Sequence, residues 1–463
     1  SSTYVTAISI KTSKDHHLTR VYYRCYSGEL DLSFQQKTCV AESMDGKTFE
    51  KPKLSIYKMQ YNAIYQGVEA HNFAPFLDAN PNSLPDEKFK AVGGIDPTVF
   101  PYNVPHAKLA RLLQSENQPL DYKWGLYAFT SEDGLRWKRS KKPVITKVGL
   151  DSLNNVFFHD GEYTMYGRFW AECPQCLGGS PGGGQKQHRR SIFVSRSKDF
   201  ISWSPLKEVT FVPKYPGEEG LYTNAIIQLP DVPNVLVGFP KRFSPLRHKI
   251  KEHPESGVSD TVLISSNAAG EIWTRQFKEA FIRPGRSRRN WSQRSNMVAT
   301  GMRFDKEEWS MYAVSHYQWD DCHLQRLWMR PYGFSSIHGS YSGGQATSAQ
   351  IVFPIDDMRS GKLKRKLSMK LNFATSAFGI VRVDLLYKSV VTDESAAIVL
   401  SSRDMYGDSL EEEVVWQASR LLDDTNLPNF HDTILATNKN GDAGVFFFQF
   451  HLTDADVFAW KVD

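Results

Sequence analysis

Asp151, in "DSLNN", and Glu219, in "EEGLYTN", are carboxylates at the starts of strand-like runs. Two carboxyl groups flanking one bond are what hydrolysis of a glycosidic acetal usually requires, one serving as acid and the other as base or nucleophile. His71, in "EAHN", opens another such run, and an ordinary pKa near neutrality suits it to carry a proton. Other candidates bind rather than react. Asn72 and Asn155 offer amide hydrogen bonds, and Arg168, Arg242 and Arg294 offer guanidinium groups. Arginine takes carboxylate or sulfate through two parallel bonds, which a neutral sugar would not require. Tyr222, Trp291 and Trp170 present aromatic faces on which a sugar ring can stack. Each has a plainer use as well: a carboxylate or Asn at a strand start caps a turn, and an aromatic fills a core.

These residues are far apart in the chain, so the fold must gather them. Convincing helical periodicity is almost absent, and short alternating runs recur between Gly, Asn, Asp and Pro turns. The runs come in sets of three. "YVTAISI", "TRVYYRCY" and "KTCVAES" form the first; "HNFAPFL", "EKFKAVGG" and "WGLYAFT" the second; "NNVFFHD", "YTMYGRFW" and "SIFVSRS" the third. "TNAIIQL", "NVLVGFP" and "DTVLISS" form the fourth, and "NMVATGM", "WSMYAVSHY" and "QRLWMRPYG" the fifth. Three sets end alike, in "SMDGKTF", "SEDGLRW" and "SKDFISW", and the fourth in a looser "SNAAGEIW". Asp and Ser side chains cap backbone N–H groups, Gly accepts positive φ, and the aromatic packs between sheets. Three strands, a turn and a fourth outer strand make a propeller blade. The expected fold is all-β: a five-bladed β-propeller over residues 1–348, whose innermost strands converge on a central pocket. After "GSYSGGQATS" the rhythm changes, and residues 349–463 read as a C-terminal antiparallel β-sandwich.

Composition excludes several classes. The 463 residues are 41% hydrophobic and 13% aromatic, enough to fill cores. No apolar run approaches the ~20 residues of a membrane helix, so no membrane span is expected. The net charge of +5 is concentrated in "QKQHRR", "KRFSPLRHKIKEH", "RPGRSRRNWSQR" and "KLKRK". No zinc finger, Walker loop or RNP motif accompanies these runs, so an anionic polysaccharide is preferred to nucleic acid as partner. Cys173 and Cys176 form a lone C-x-x-C, too little for a zinc site. Cys25 and Cys39 lie on neighbouring strands and either bridge or pack, leaving Cys322 over. No metal and no cofactor are expected.

The recurrent turn resembles a shortened sialidase Asp-box, S-x-D-x-G-x-x-W. With "AESMDGKTFEKP", "DSLNNVFFHD", "LYTNAI", "GFPKRF" and "DADVFAW", the chain resembles the five-bladed glycoside hydrolases of the invertase and arabinanase superfamily. It is more similar still to uncharacterised secreted propeller proteins of polysaccharide-degrading bacteria. The resemblance implies glycosidase activity and carboxylates in N-D-P-N-G, R-D-P and E-C-P motifs. Glu172-Cys173-Pro174 matches the last literally and Ile95-Asp96-Pro97 is close to the second, but N-D-P-N-G is missing. Both matches follow second strands, whereas the family places its carboxylates at the starts of innermost strands, so Asp151 and Glu219 are the preferred pair.

The expectation is a secreted or periplasmic glycoside hydrolase that degrades a polysaccharide-derived glycan, with a negatively charged oligo- or polysaccharide as substrate. A non-catalytic carbohydrate-binding propeller and a polysaccharide lyase are the alternatives. Convergent carboxylates favour the hydrolase, several equivalent shallow sites the lectin, and a pocket of Arg, His and Tyr the lyase.

Overall fold

The computed structural model describes residues 4–13, 17–26, 36–57, 61–99, 104–105, 109, 113, 121–173, 188–213, 219–267, 270–363, 365–389, 395–417, 429–437 and 444–463. It is an all-β chain divided into two compact units, Ser1–Phe304 with Ser310–Trp328, and Asp305–Trp309 with Met329–Asp463. No helix among the described residues is long and apolar enough to cross a membrane.

Three of the expected sets become four-stranded antiparallel sheets in chain order. The first pairs Thr6–Lys11, His17–Tyr26, Gln36–Ser43 and Ala63–Gln66. The second pairs Ala74–Leu77, Phe89–Gly93, Tyr127–Ser131 and Lys138–Arg139. The third pairs Asn155–His159, Glu162–Glu172, His188–Ser197 and Lys207–Glu208. The fourth set departs from the pattern by dividing at Pro240, which has no N–H to continue a ladder. One half pairs Ile227–Gln228, Val235–Gly238 and Ile264–Asn267; the other pairs Gly220–Leu221, Lys241–Ser244 and Val258–Thr261. The fifth set pairs Arg303–Phe304, Trp309–Ser315 and His323–Met329, with Val298 bridged to Ala313. It returns to the first: Ala7 N–H donates to Thr300 O at 2.7 Å and Thr300 N–H to Val5 O at 2.9 Å. One apolar core draws on all five sets through Ala7, Phe76, Val156, Tyr222 and Met297.

The repeated turn has a structural reason. Asp45 Oδ1 accepts the N–H groups of Lys47 and Thr48 at 2.8 Å each, and Ser43 Oγ accepts that of Gly46 at 2.8 Å. Asp133 and Ser131 repeat this arrangement, and Asp199 holds Ile201 and Ser202. The turn glycine's carbonyl then receives a tyrosine from an adjacent set. Tyr22 donates to Gly134 O at 3.1 Å, Tyr166 to Gly270 O at 2.8 Å and Tyr312 to Gly46 O at 2.8 Å. Gly134 has φ +71°, and a Cβ there would stand 2.6 Å from the Tyr22 hydroxyl, so no larger residue permits this approach. The motif therefore both ends a strand and fastens one set to the next.

The second unit is built around two long strands. Its strands form one seven-stranded sheet rather than two separate sheets, because Met369–Ser389 and Gly444–Val462 pair with each other along nearly their whole lengths. Met329–Asp463 belongs to this unit. Ile337–Gly339 and Gly344–Thr347 pair with Gly444–Val462, so the glycine-rich stretch before residue 349 belongs to this sheet. Phe430–Thr437 adds a short helix, with Phe430 and Ile434 buried against Phe446 and Phe448 in a separate core. Cys25 and Cys39 are joined by a disulfide, Cys173 is disulfide-bonded as well, and Cys322 is free; Cys176 lies outside the described residues.

Candidate active site

Residues from all five sets meet in one cluster of cations and aromatics. The strand Glu162–Glu172 alternates so that Arg168 and Trp170 share a face, and Trp170 lies opposite Arg190 on the neighbouring strand. Arg168 forms an ion pair with Asp151 and lies 5.1 Å from the Tyr222 ring centroid. Arg190 lies 5.0 Å from the same ring and 4.5 Å from that of Trp170. Lys241 brings its ammonium nitrogen to 3.9 Å from the Tyr222 centroid. The backbone sets this contact, since Tyr222 N–H donates to Lys241 O at 2.8 Å. From the first set, Tyr4 places its hydroxyl 3.4 Å from that of Tyr222, and Arg24 stacks on Tyr4 at 5.1 Å. Arg24 also reaches His71 Nδ1 at 3.3 Å, and the fifth set contributes Arg294, which donates to the Tyr317 hydroxyl at 2.8 Å.

The cluster has depth. Arg24, Arg168, Lys241, Tyr4 and Tyr222 are buried, while His71, Asp151, Arg190 and Arg294 keep part of their surface open. Neither Lys241 nor Arg294 has a carboxylate at ion-pair distance among the described residues; the half-buried Glu255 acts on both from farther away. Burial, with Arg294 and Arg190 nearby, holds the Lys241 amine well below its ordinary value. Burial also lowers His71, aided by Arg24, Arg294 and Arg168, so its imidazole stays neutral. Burial by itself would raise Tyr222, but Arg294, Arg168 and Arg190 outweigh it and draw the phenol below its usual range. Tyr4 moves the opposite way, raised by burial and by Tyr222. The two phenols thus divide into one that gives up its proton readily and one that keeps it.

Two residues of the cluster, Tyr4 and Arg294, are among the strained positions of the backbone. Tyr4 (φ 57°), Ala225 (42°), Arg294 (62°), Asn296 (65°), His316 (54°) and Gln318 (62°) all lie in the left-handed region. Such residues cost about 1–3 kcal/mol each and persist where surrounding structure fixes them, as at ligand sites.

Other residues singled out from the sequence sit elsewhere or serve the fold. Asn72 spends its amide on the backbone: Nδ2 donates to Leu150 O at 2.6 Å and Ser152 O at 3.1 Å, and Oδ1 accepts Gly94 N–H at 2.8 Å. Asn155 donates to Ile226 O at 2.8 Å, so both asparagines fasten one set to the next instead of facing a ligand. Glu219 is held by Arg275 at 2.8 Å and Arg242 at 3.3 Å, and Arg242 grips Asp260 through two bonds of 2.8 and 2.6 Å. Among the described residues, no hydrogen bond or ion pair joins Glu219 to Asp151. Asp96 caps its own turn by accepting Thr98 N–H at 3.1 Å, and Glu172 is exposed at a strand end. Sequence reasoning missed Tyr4, Arg24, Arg190 and Lys241. Lys241 precedes the chosen Arg242, and successive strand residues face opposite sides, so selecting one hid the other.

A cavity of about 980 Å³ adjoins the cluster, with Trp170, Arg190 and Phe243 in its wall beside Glu219, Arg242 and Trp291. Trp291 stands half-buried there, its indole N–H bonded to Gly285 O at 2.9 Å. Among the described residues, no group of three or more His, Cys, Asp and Glu side chains is gathered as metal ligands.

No family model and no curated protein matches the sequence. Among solved structures, the chain is similar to a glycosyl hydrolase from Bacteroides ovatus, at 14% identity over 71% of this chain and 84% of that one, with a TM-score of 0.42. It is similar to a Bombyx mori beta-fructofuranosidase, at 7% identity over 100% and 90% of the two chains and a TM-score of 0.42. A third is an N-acetylgalactosamine deacetylase from F. plautii, at 9% identity over 68% and 80% and a TM-score of 0.41.

Proposed function

We propose that the five sheet sets are the blades of one propeller and that the chain is a glycoside hydrolase acting on a negatively charged glycan at its centre. The observation that carries this reading is the surplus of cations around Tyr222. Arg24, Arg168, Lys241 and Arg294 are drawn inward from different sets, Asp151 pairs with Arg168, and among the described residues neither Lys241 nor Arg294 has a carboxylate at ion-pair distance. Burying several positively charged groups together is costly, and a bound carboxylate or sulfate would offset that cost. Asp151, paired with Arg168 and partly open, serves as the carboxylate of the reaction, and neutral His71 is available to accept a proton. Glu219 is assigned to the fold, since Arg242 and Arg275 already engage it. A single cluster drawing on every set supports an enzyme over a lectin with repeated shallow sites. The disulfide Cys25–Cys39 supports a secreted or periplasmic location.

The test is a panel of algal, plant and bacterial polysaccharides, sulfated, uronate-containing and neutral, assayed for newly released reducing ends. The expected result is cleavage confined to acidic members. Cleavage of neutral glycans alone, or of none, contradicts the reading.

A further inference from the structure

We propose that on glycans whose scissile bond lies beside a uronate carboxylate, this centre cuts by β-elimination, with Tyr222 removing the proton. This rests on the reading that an anionic glycan occupies the cluster, and it adds an activity that hydrolysis does not include.

Elimination requires a base, a neutraliser for the carboxylate that makes the adjacent C–H acidic, and a donor for the departing oxygen. Hydrolysis requires a protonated acid, and neither carboxylate first expected for that role suits it. Asp151 is ion-paired with Arg168, and Glu219 with Arg275 and Arg242. An arginine beside a carboxylate favours its ionised form. The phenols are better placed. The Tyr222 hydroxyl has only the Tyr4 hydroxyl, at 3.4 Å, as hydrogen-bond partner among the described residues. Its ring is enclosed by Arg168 at 5.1 Å, Arg190 at 5.0 Å and the Lys241 nitrogen at 3.9 Å, so a phenolate there meets the charge of two guanidinium groups. The direction in which these cations move its pKa agrees with that geometry. Arg294 supplies the positive charge that a substrate carboxylate would meet, and Lys241 a hydrogen-bond donor beside it.

The step balances without an outside reactant. The Tyr222 phenolate oxygen takes the proton from the carbon bearing the carboxylate. The C–H electron pair passes into the carboxylate as an enolate, stabilised by the neighbouring cations. That pair then forms a carbon–carbon double bond as the bond from the next carbon to the glycosidic oxygen breaks. The departing oxygen takes the proton now carried by Tyr222, which restores the phenolate, and no water is consumed. Tyr4 keeps its proton and donates to the Tyr222 oxygen throughout.

The experiment treats the full chain with polyuronate substrates and analyses products by mass and ultraviolet absorbance. Wild-type protein is expected to give unsaturated ends lighter by one water than hydrolysis products. Tyr222→Phe should lose about 10²–10⁴-fold in that rate while still binding an acidic oligosaccharide, because the ring that packs the cations remains. Saturated ends alone overturn elimination and leave the glycosidase reading intact. Unsaturated product undiminished in Tyr222→Phe overturns the role of Tyr222. No cleavage of any polyuronate overturns this inference, and if sulfated glycans are also uncut the wider reading falls with it. Product identity is read on wild type, so a poorly folding variant leaves the test decisive.

Discussion

Asp151 and Glu219 both end on arginines, yet their surroundings differ in charge balance. Around Glu219 the sum closes: Arg242 and Arg275 face Glu219 and Asp260, with remaining guanidinium bonds given to Lys278 O. Around Asp151 the cations are more numerous: Lys241 and Arg294 stand near Arg168, and neither makes an ion pair with a carboxylate among the described residues. A balanced network holds a fold together and asks for nothing further. A buried surplus of one sign is a standing cost, which a ligand of the opposite sign removes. On the proposed reading, the difference assigns function to Asp151 and architecture to Glu219, although sequence position ranked them alike.

Breaking the pair at the centre should have the largest effect. Arg168→Met leaves Asp151 without its partner, and losing one member of an enclosed ion pair costs about 3–5 kcal/mol. Denaturant unfolding should show this as a lower midpoint. A midpoint near wild type would mean that solvent, not Arg168, supports Asp151.

The comparison is sharpened by changing one residue on each side. Lys241→Met removes an unpaired buried cation, so stability should hold or rise by ~1 kcal/mol while affinity for an acidic oligosaccharide falls at least about tenfold. The sign of its pH dependence follows from the depressed pKa. The unfolded chain binds the Lys241 proton first as pH falls, so this residue costs stability below about pH 10, and Lys241→Met should flatten that slope. Glu219→Gln should do little by comparison. Its side chain is 37% exposed and solvent screens its ion pairs, so the loss should stay under about 1 kcal/mol, with turnover close to wild type. Lower stability in Lys241→Met with unchanged binding, or lost turnover in Glu219→Gln, would reverse the assignment.

Much of this was legible in the sequence wherever a pattern is local. The alternating runs became sheets, and "SMDG" and "SEDG" became turns whose Asp and Ser bonds are set within a few residues. Arg168 was found because the second strand of a set passes the centre. Partners that arrive from afar were not legible. Nothing near Glu219 announces Arg275, and nothing near Asn72 announces the carbonyls of Leu150 and Ser152. Lys241 and Arg242 are adjacent, and only strand parity, displaced by the break at Pro240, decides which turns toward Tyr222. Tyr4 and Arg24 carry no local signature and gain meaning only when the fifth set closes on the first.

The most direct test of the central claim is calorimetric titration of wild-type protein with an acidic oligosaccharide and its neutral counterpart across a range of ionic strength. A surplus of positive charge predicts binding of the acidic ligand that weakens steadily as salt rises, and no measurable heat from the neutral one. Equal binding of both, insensitive to salt, would contradict the account.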